Sequence, residues 1–142
     1  MTNSRFASAL RAAVLASALA AMATSPRAQE PRQEESYSPA YKACMDKSGG
    51  VTADMLDCGT KEYAKLDAAL NAAYREANKD LSPEQRNLLR DTQRSWLAYR
   101  DSSCSFMGRL GDRGTMASLI DQSCLMSVTA ERTRWLKSLM PL

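Results

Sequence analysis

The sequence predicts an all-α domain: a small antiparallel three-helix bundle with a short N-terminal helix, stapled by two disulfides. Three observations carry this. Apolar residues recur at three- and four-residue intervals in three long segments, and no window alternates as a half-buried strand would. Four cysteines, an even number, sit in a small chain that opens with an export signal. Six glycines and five prolines in 142 residues are too few for a loop-rich β-fold. That length allows about one domain.

The N-terminus carries Arg5 and Arg11, then an apolar run from Ala12 to Ala23 that closes on Ala21-Met22-Ala23. A basic start, an apolar stretch and a small-x-small site form the pattern of a secretory signal peptide, expected over residues 1–23. The run is far shorter than the ~20 residues a spanning helix needs. No membrane span is therefore expected after cleavage, and the destination is the periplasm or the medium. Residues 24–40 are polar and hold three of the five prolines, as a disordered lead would. Residues 41–142 form the expected helical domain.

Cleavage removes two of 19 basic residues, leaving 17 against 16 acids, a net charge of +1. That is too weak for a nucleic-acid reader. Histidine is absent, which removes Ser-His and Cys-His nucleophile pairs, histidine bases and histidine metal ligands together. Cys44, Cys58, Cys104 and Cys124 are separated by 14, 46 and 20 residues, unlike the close pairs of a zinc site. No cofactor and no metal are expected.

A short helix is expected from Pro39 to Lys47, broken by Ser48-Gly49-Gly50. The first long helix should start near Thr52 as N-cap, with Asp54 and Asp57 complementing its dipole. Its stripe is Tyr63, Leu66, Leu70, Ala73, Tyr74, Ala77 and Leu81. Ser82-Pro83-Glu84-Gln85 is a capping box with proline at the first helical position, so the second long helix starts at Pro83. Its expected inward stripe is Leu88, Leu89, Thr92, Trp96, Tyr99, Ser103 and Phe106, and it ends near Gly108. Gly108 to Gly114 reads as a loop with G-x-x-G-x-x-G spacing, without the GK[ST] of a phosphate loop. The last helix runs from about Met116 to Leu139, with Leu119, Ile120, Cys124, Val128, Trp135 and Leu139 inward.

Two disulfide pairings suit these levels. Cys44 and Cys58 flank the Ser48-Gly49-Gly50 turn, and Cys104 and Cys124 flank the glycine loop. Cys58 and Cys104 are also nearly level across the hairpin, which would leave Cys44 to Cys124. The sequential pairing is favoured and the other stays open.

Three strings stand out together. They are Asp67-x-x-Leu70-Asn71-x-x-Tyr74, Gln93-Arg94-x-Trp96-x-x-Tyr99-Arg100-Asp101-x-x-Cys104, and Cys124-Leu125 followed by Thr129-x-x-Arg132. With the matched cysteines they resemble the LprI-like lysozyme-inhibitor family of exported bacterial proteins, over about Cys44 to Leu139. The resemblance implies a periplasmic or surface-exposed helical protein, with inhibition of c-type lysozyme known for some members. Physically these residues read as framework. Tyr74, Trp96 and Tyr99 should pack inward, Asp67 should pair with Arg94 or Arg100, and Asn71 should reach the level of Thr92.

Asp54, Asp57 and Glu62 read as solvated complements to the helix dipole, not as a catalytic pair, so no enzyme is expected. The expected partner is a protein, c-type lysozyme by resemblance, whose cleft carries two carboxylates. Arg109 and Arg113, flanking Gly111-Asp112, are the candidate cations to enter such a cleft. With Asp112 they form the candidate binding loop. A net charge of +1 gives no long-range pull on a basic lysozyme, so local fit must do the binding. The alternative is an envelope stress or assembly module that binds another envelope protein. At 6% aromatic residues the chain lacks the aromatic groove of a peptidoglycan binder.

Overall fold

The computed structural model describes residues 37–110 and 114–139. The expected signal peptide, most of the lead, Asp112 and Arg113 lie outside the described residues. Four helices follow in order: α1 (Pro39–Lys47), α2 (Thr52–Ala77), α3 (Pro83–Arg109) and α4 (Met116–Ser138). There is no strand among the described residues.

Helix α1 starts where Ser38 caps it, its hydroxyl accepting from the Tyr41 amide at 3.2 Å, with Pro39 in the first turn. It stops at Ser48, and Gly49 and Gly50 turn the chain with φ of 58° and 82°. A side chain would be strained in that left-handed region. The turn delivers Val51, not Thr52, as the N-cap of α2, and no side chain caps that end. Thr52 is already inside the helix, so its hydroxyl is not placed to cap it.

At the α2–α3 corner α2 ends at Ala77, four residues short of the expected Leu81, whereas the start of α3 is as expected. Ser82 accepts from the Gln85 amide at 3.2 Å, and its own amide donates to Gln85 Oε1 at 2.8 Å. Arg86 adds a contact that no local sequence signal marks. Its guanidinium donates to the Asn78 carbonyl at 3.0 Å and the Lys79 carbonyl at 3.1 Å. The Asn78 carbonyl, at the C-cap of α2, lacks a partner within the helix and so needs a donor. Beside the corner lies the apolar core: Leu70, Ala73, Ala77, Leu89 and Leu136, with Tyr74, Leu81 and Trp96 packed against it.

Helix α4 lies close along both α2 and α3, whose backbones scarcely approach each other. That central position corrects two expected stripes. On α3 the buried residues are Leu89, Arg100, Cys104 and Gly108, whereas Leu88, Tyr99 and Phe106 are 62, 64 and 64% exposed and Thr92 also faces outward. The inward face is set by the Cys104 bridge and by Gly108, where an added Cβ would sit 3.1 Å from the Ala117 carbonyl and 3.1 Å from Asp121 Cβ. On α4 the buried residues are Cys124, Met126, Thr129, Ala130, Thr133 and Leu136. Leu119, Ile120 and Val128 are half-buried, and Trp135 and Leu139 are exposed. A helix touched from two sides buries short residues around much of its circumference, and a single stripe does not describe it.

The disulfides are Cys44–Cys58, joining α1 to α2, and Cys104–Cys124, joining α3 to α4, with Cα separations of 5.7 and 5.4 Å. Both lie at the end of the molecule away from the α2–α3 corner. There Gln122 reaches α2, donating to the Leu56 carbonyl at 2.9 Å and Thr60 Oγ1 at 3.1 Å. Gly59 makes room for it, since a Cβ at that position would collide with the Gln122 carboxamide.

Glu62 departs from its reading as a solvated acid. It is 2% exposed and receives the Ser38 amide at 2.7 Å and the Ser38 hydroxyl at 2.5 Å, with Lys65 Nζ at 3.4 Å. Burial, the largest influence, pushes its carboxyl up. The Ser38 hydrogen bonds and the Lys65 ammonium together outweigh burial and hold Glu62 below its ordinary range. This knot fastens Ser38 and the start of α1 to α2. Tyr37 packs edge-on against Tyr41 beside it, with ring centroids 5.3 Å apart.

Candidate partner-binding surface

The residues of the three strings gather mostly into framework. Asp67, Leu70, Asn71 and Tyr74 from α2 face Arg90, Gln93, Arg94 and Leu97 from α3 across a groove of about 310 Å³. Asp67 and Arg94 share that groove without pairing. Asp67 instead takes the Asn71 amide at 3.0 Å, one helical turn away, and Asn71 is thereby engaged within α2. Asp67 and Asn71 satisfy each other within α2, so neither reaches across to α3.

Arg100 also finds other partners. Its guanidinium binds Asp101 at 2.7 Å and lies 5.9 Å from the Tyr63 ring and 5.3 Å from the Trp96 ring. Arg132 from α4 covers the Trp96 ring at 5.6 Å and the Trp135 ring at 3.8 Å, and its Nε donates to Gln93 Oε1 at 3.0 Å. Tyr63, Arg100, Trp96, Arg132 and Trp135 thus form one alternating stack through all three long helices. Arg100 Nη1 and Arg132 Nη2 are buried without a hydrogen-bond acceptor among the described residues. Ring faces supply the compensating electrostatics. Burial lowers the Arg132 guanidinium from its ordinary value. Of the expected inward aromatics, Trp96 and Tyr74 are half-buried and Tyr99 is exposed.

The stapled end offers a different surface. An open apolar groove of about 550 Å³ is walled by Met45, Met55, Met107, Met116 and Met126, with Tyr41 at its rim. Five of the chain's eight methionines therefore meet in one place. Met107 and Met116 are 46 and 54% exposed, and Leu110 is exposed beside them. Thioether side chains are flexible and polarisable, which suits them to adaptable contact surfaces. Sequence reasoning missed this groove because its methionines lie on four different helices. The only signal was their number. Arg109, the last residue of α3, is exposed five residues after the Cys104 bridge. It belongs to the helix end, where the sequence had placed it in the loop.

Among the described residues, no group of His, Cys, Asp and Glu is placed to hold a metal ion. No helix among them is long and apolar enough to cross a membrane.

The family model described as lysozyme inhibitor LprI matches residues 44–136, nearly all of the four-helix unit. The chain belongs to the LprI lysozyme inhibitor family. LprI is an inhibitor family and not a family of enzymes. An uncharacterized protein of Rhizobium meliloti (strain 1021) is 30% identical over 100 residues, covering 61% of this chain and 72% of its own. The uncharacterized protein YecT of Escherichia coli (strain K12) is 31% identical over 116 residues, covering 69% of this chain and 72% of its own. No solved structure matches. Membership in LprI and the two disulfides both point to an extracytoplasmic place of action.

Proposed function

We propose that the protein is an exported inhibitor of c-type lysozyme, acting by steric and charge complementarity at the stapled end. Membership in LprI carries the choice of target class. The surface rests on one observation: exposed Arg109 follows exposed Met107 and precedes exposed Leu110 at the end of α3, which the Cys104–Cys124 bridge fixes to α4. Apolar anchors with an adjacent arginine are the residue types that dominate protein interfaces. A pre-fixed platform lowers the ordering cost of binding. Arg109 and Arg113, with Asp112 between them, are the cations that would meet the two carboxylates of a lysozyme cleft.

The test is a bacterial-cell turbidity assay with the mature protein and c-type lysozyme at several salt concentrations. Inhibition should saturate with protein and weaken only gently with salt, because the mature net charge is +1. Unaffected lysis at every ratio would remove the inhibitor reading. It would leave an envelope stress or assembly module that binds another envelope protein.

A further inference from the structure

Helix α3 carries two stripes. One faces α4 and α2. The other faces outward and consists of Leu88, Thr92, Ser95, Tyr99, Ser102 and Phe106, all exposed and none charged. Their spacing alternates four and three, the heptad rhythm of a helix-pairing seam. The bundle already satisfies the helix on its other side, so this stripe has no role in the monomer's core.

The stripe is also self-complementary about Tyr99. Thr92 and Phe106 each lie seven residues from it, and Leu88 and Leu110 each lie eleven. A two-fold axis perpendicular to the helix maps each residue onto the level of its opposite number, as an isologous contact requires. The charged rim obeys the same symmetry. Asp91 and Arg109 lie on one flank of the stripe, eight residues before and ten after Tyr99. Antiparallel pairing brings like flanks together and sets Asp91 within about two residues, ~3 Å along the axis, of the second copy's Arg109. Symmetry makes that pair twice. Parallel pairing would instead set Asp91 level with the second copy's Asp91. Among the described residues Asp91 makes a loose 3.4 Å contact with neighbouring Arg90, both exposed.

We propose that the outward face of α3 pairs antiparallel with the same face of a second copy, centred on Tyr99, in a two-fold symmetric dimer. Leu88 then packs against the second copy's Leu110, and Phe106 against its Thr92. Arg109 lies where this seam meets the α3–α4 turn, so pairing and loop docking compete for it. The dimer is therefore measured without lysozyme, and its failure leaves the inhibitor reading untouched.

The experiment is mass in solution, by sedimentation or light scattering of the mature protein from micromolar to millimolar concentration. Wild type should shift from monomer to dimer within that range. Tyr99→Glu sets two carboxylates on the axis and should give a monomer throughout, with an unchanged helical spectrum and melting temperature. Asp91→Arg should weaken pairing several-fold, and adding Arg109→Asp should restore it, because the swapped charges attract again. A wild type that stays monomeric at millimolar concentration overturns the proposal. So does a dimer that survives Tyr99→Glu, or a double swap that pairs no better than Asp91→Arg alone.

Discussion

The two ends of this molecule are held by different physics. At the α2–α3 corner, aliphatic packing of Leu70, Ala73, Ala77, Leu89 and Leu136 combines with a capping box and the Arg86 clamp on the end of α2. Neither disulfide lies there. At the opposite end the helices meet through Gly59, Gln122, Gly108 and an open methionine groove, and both disulfides are found there. An end that keeps an open apolar surface gives up burial, and cross-links recover the lost stability by constraining the unfolded chain. The end proposed to bind is thus the end that carries both disulfides.

Reduction should separate the two ends most strongly. Bridges closing loops of 14 and 20 residues contribute about 3 kcal/mol each. At roughly 4–8 °C per kcal/mol, full reduction should lower the melting temperature by well over ~10 °C. Hydrogen exchange on partly reduced protein should show α1 and the start of α4 opening before the corner. Loss of corner protection first would break the comparison.

Trp96→Ala removes the ring shared by Arg100 and Arg132, next to the core. It should cost about 3 kcal/mol or more, close to the range for truncated large aromatics. Chemical denaturation measures this. An unchanged midpoint would move Trp96 out of the framework.

Glu62→Ala should cost about 1–3 kcal/mol, as expected for a lost charged hydrogen-bond set, and should release α1. The pH dependence has a definite sign. Glu62 is held below its ordinary value, so its contribution is complete above the unfolded carboxyl value of about 4.3 and disappears as pH falls through the lower folded value. Melting curves of wild type and Glu62→Ala should therefore converge in acid. A gap that persists at the lowest pH would assign the cost to packing.

Arg109→Ala and Arg113→Ala should have the smallest effect on stability, moving the melting temperature by no more than about one or two degrees. If the loop enters a lysozyme cleft, each should raise the inhibition constant about tenfold or more. A double variant that inhibits as well as wild type would shift the contact to the helix faces or the N-terminal segment.

Local rules determined much of this protein from sequence alone. The four helices, the Ser82 capping box, the glycine turn after α1 and the all-α class follow from short-range signals, and each depends on residues within a few positions of one another. Flanking turns favoured the sequential disulfides for the same reason, and the LprI strings were legible as strings. Which face of each helix turns inward depended on the whole assembly. Nothing near Tyr99 states that α4, and not α2, lies closest along α3. An apolar stripe therefore read as core when it is surface. Glu62 looked solvated because Ser38, its main donor, lies 24 residues away in the expected lead. The methionine groove escaped because its walls come from four separate helices. Hydrophobic spacing identifies an amphipathic face, but helix packing decides whether that face meets the core or water.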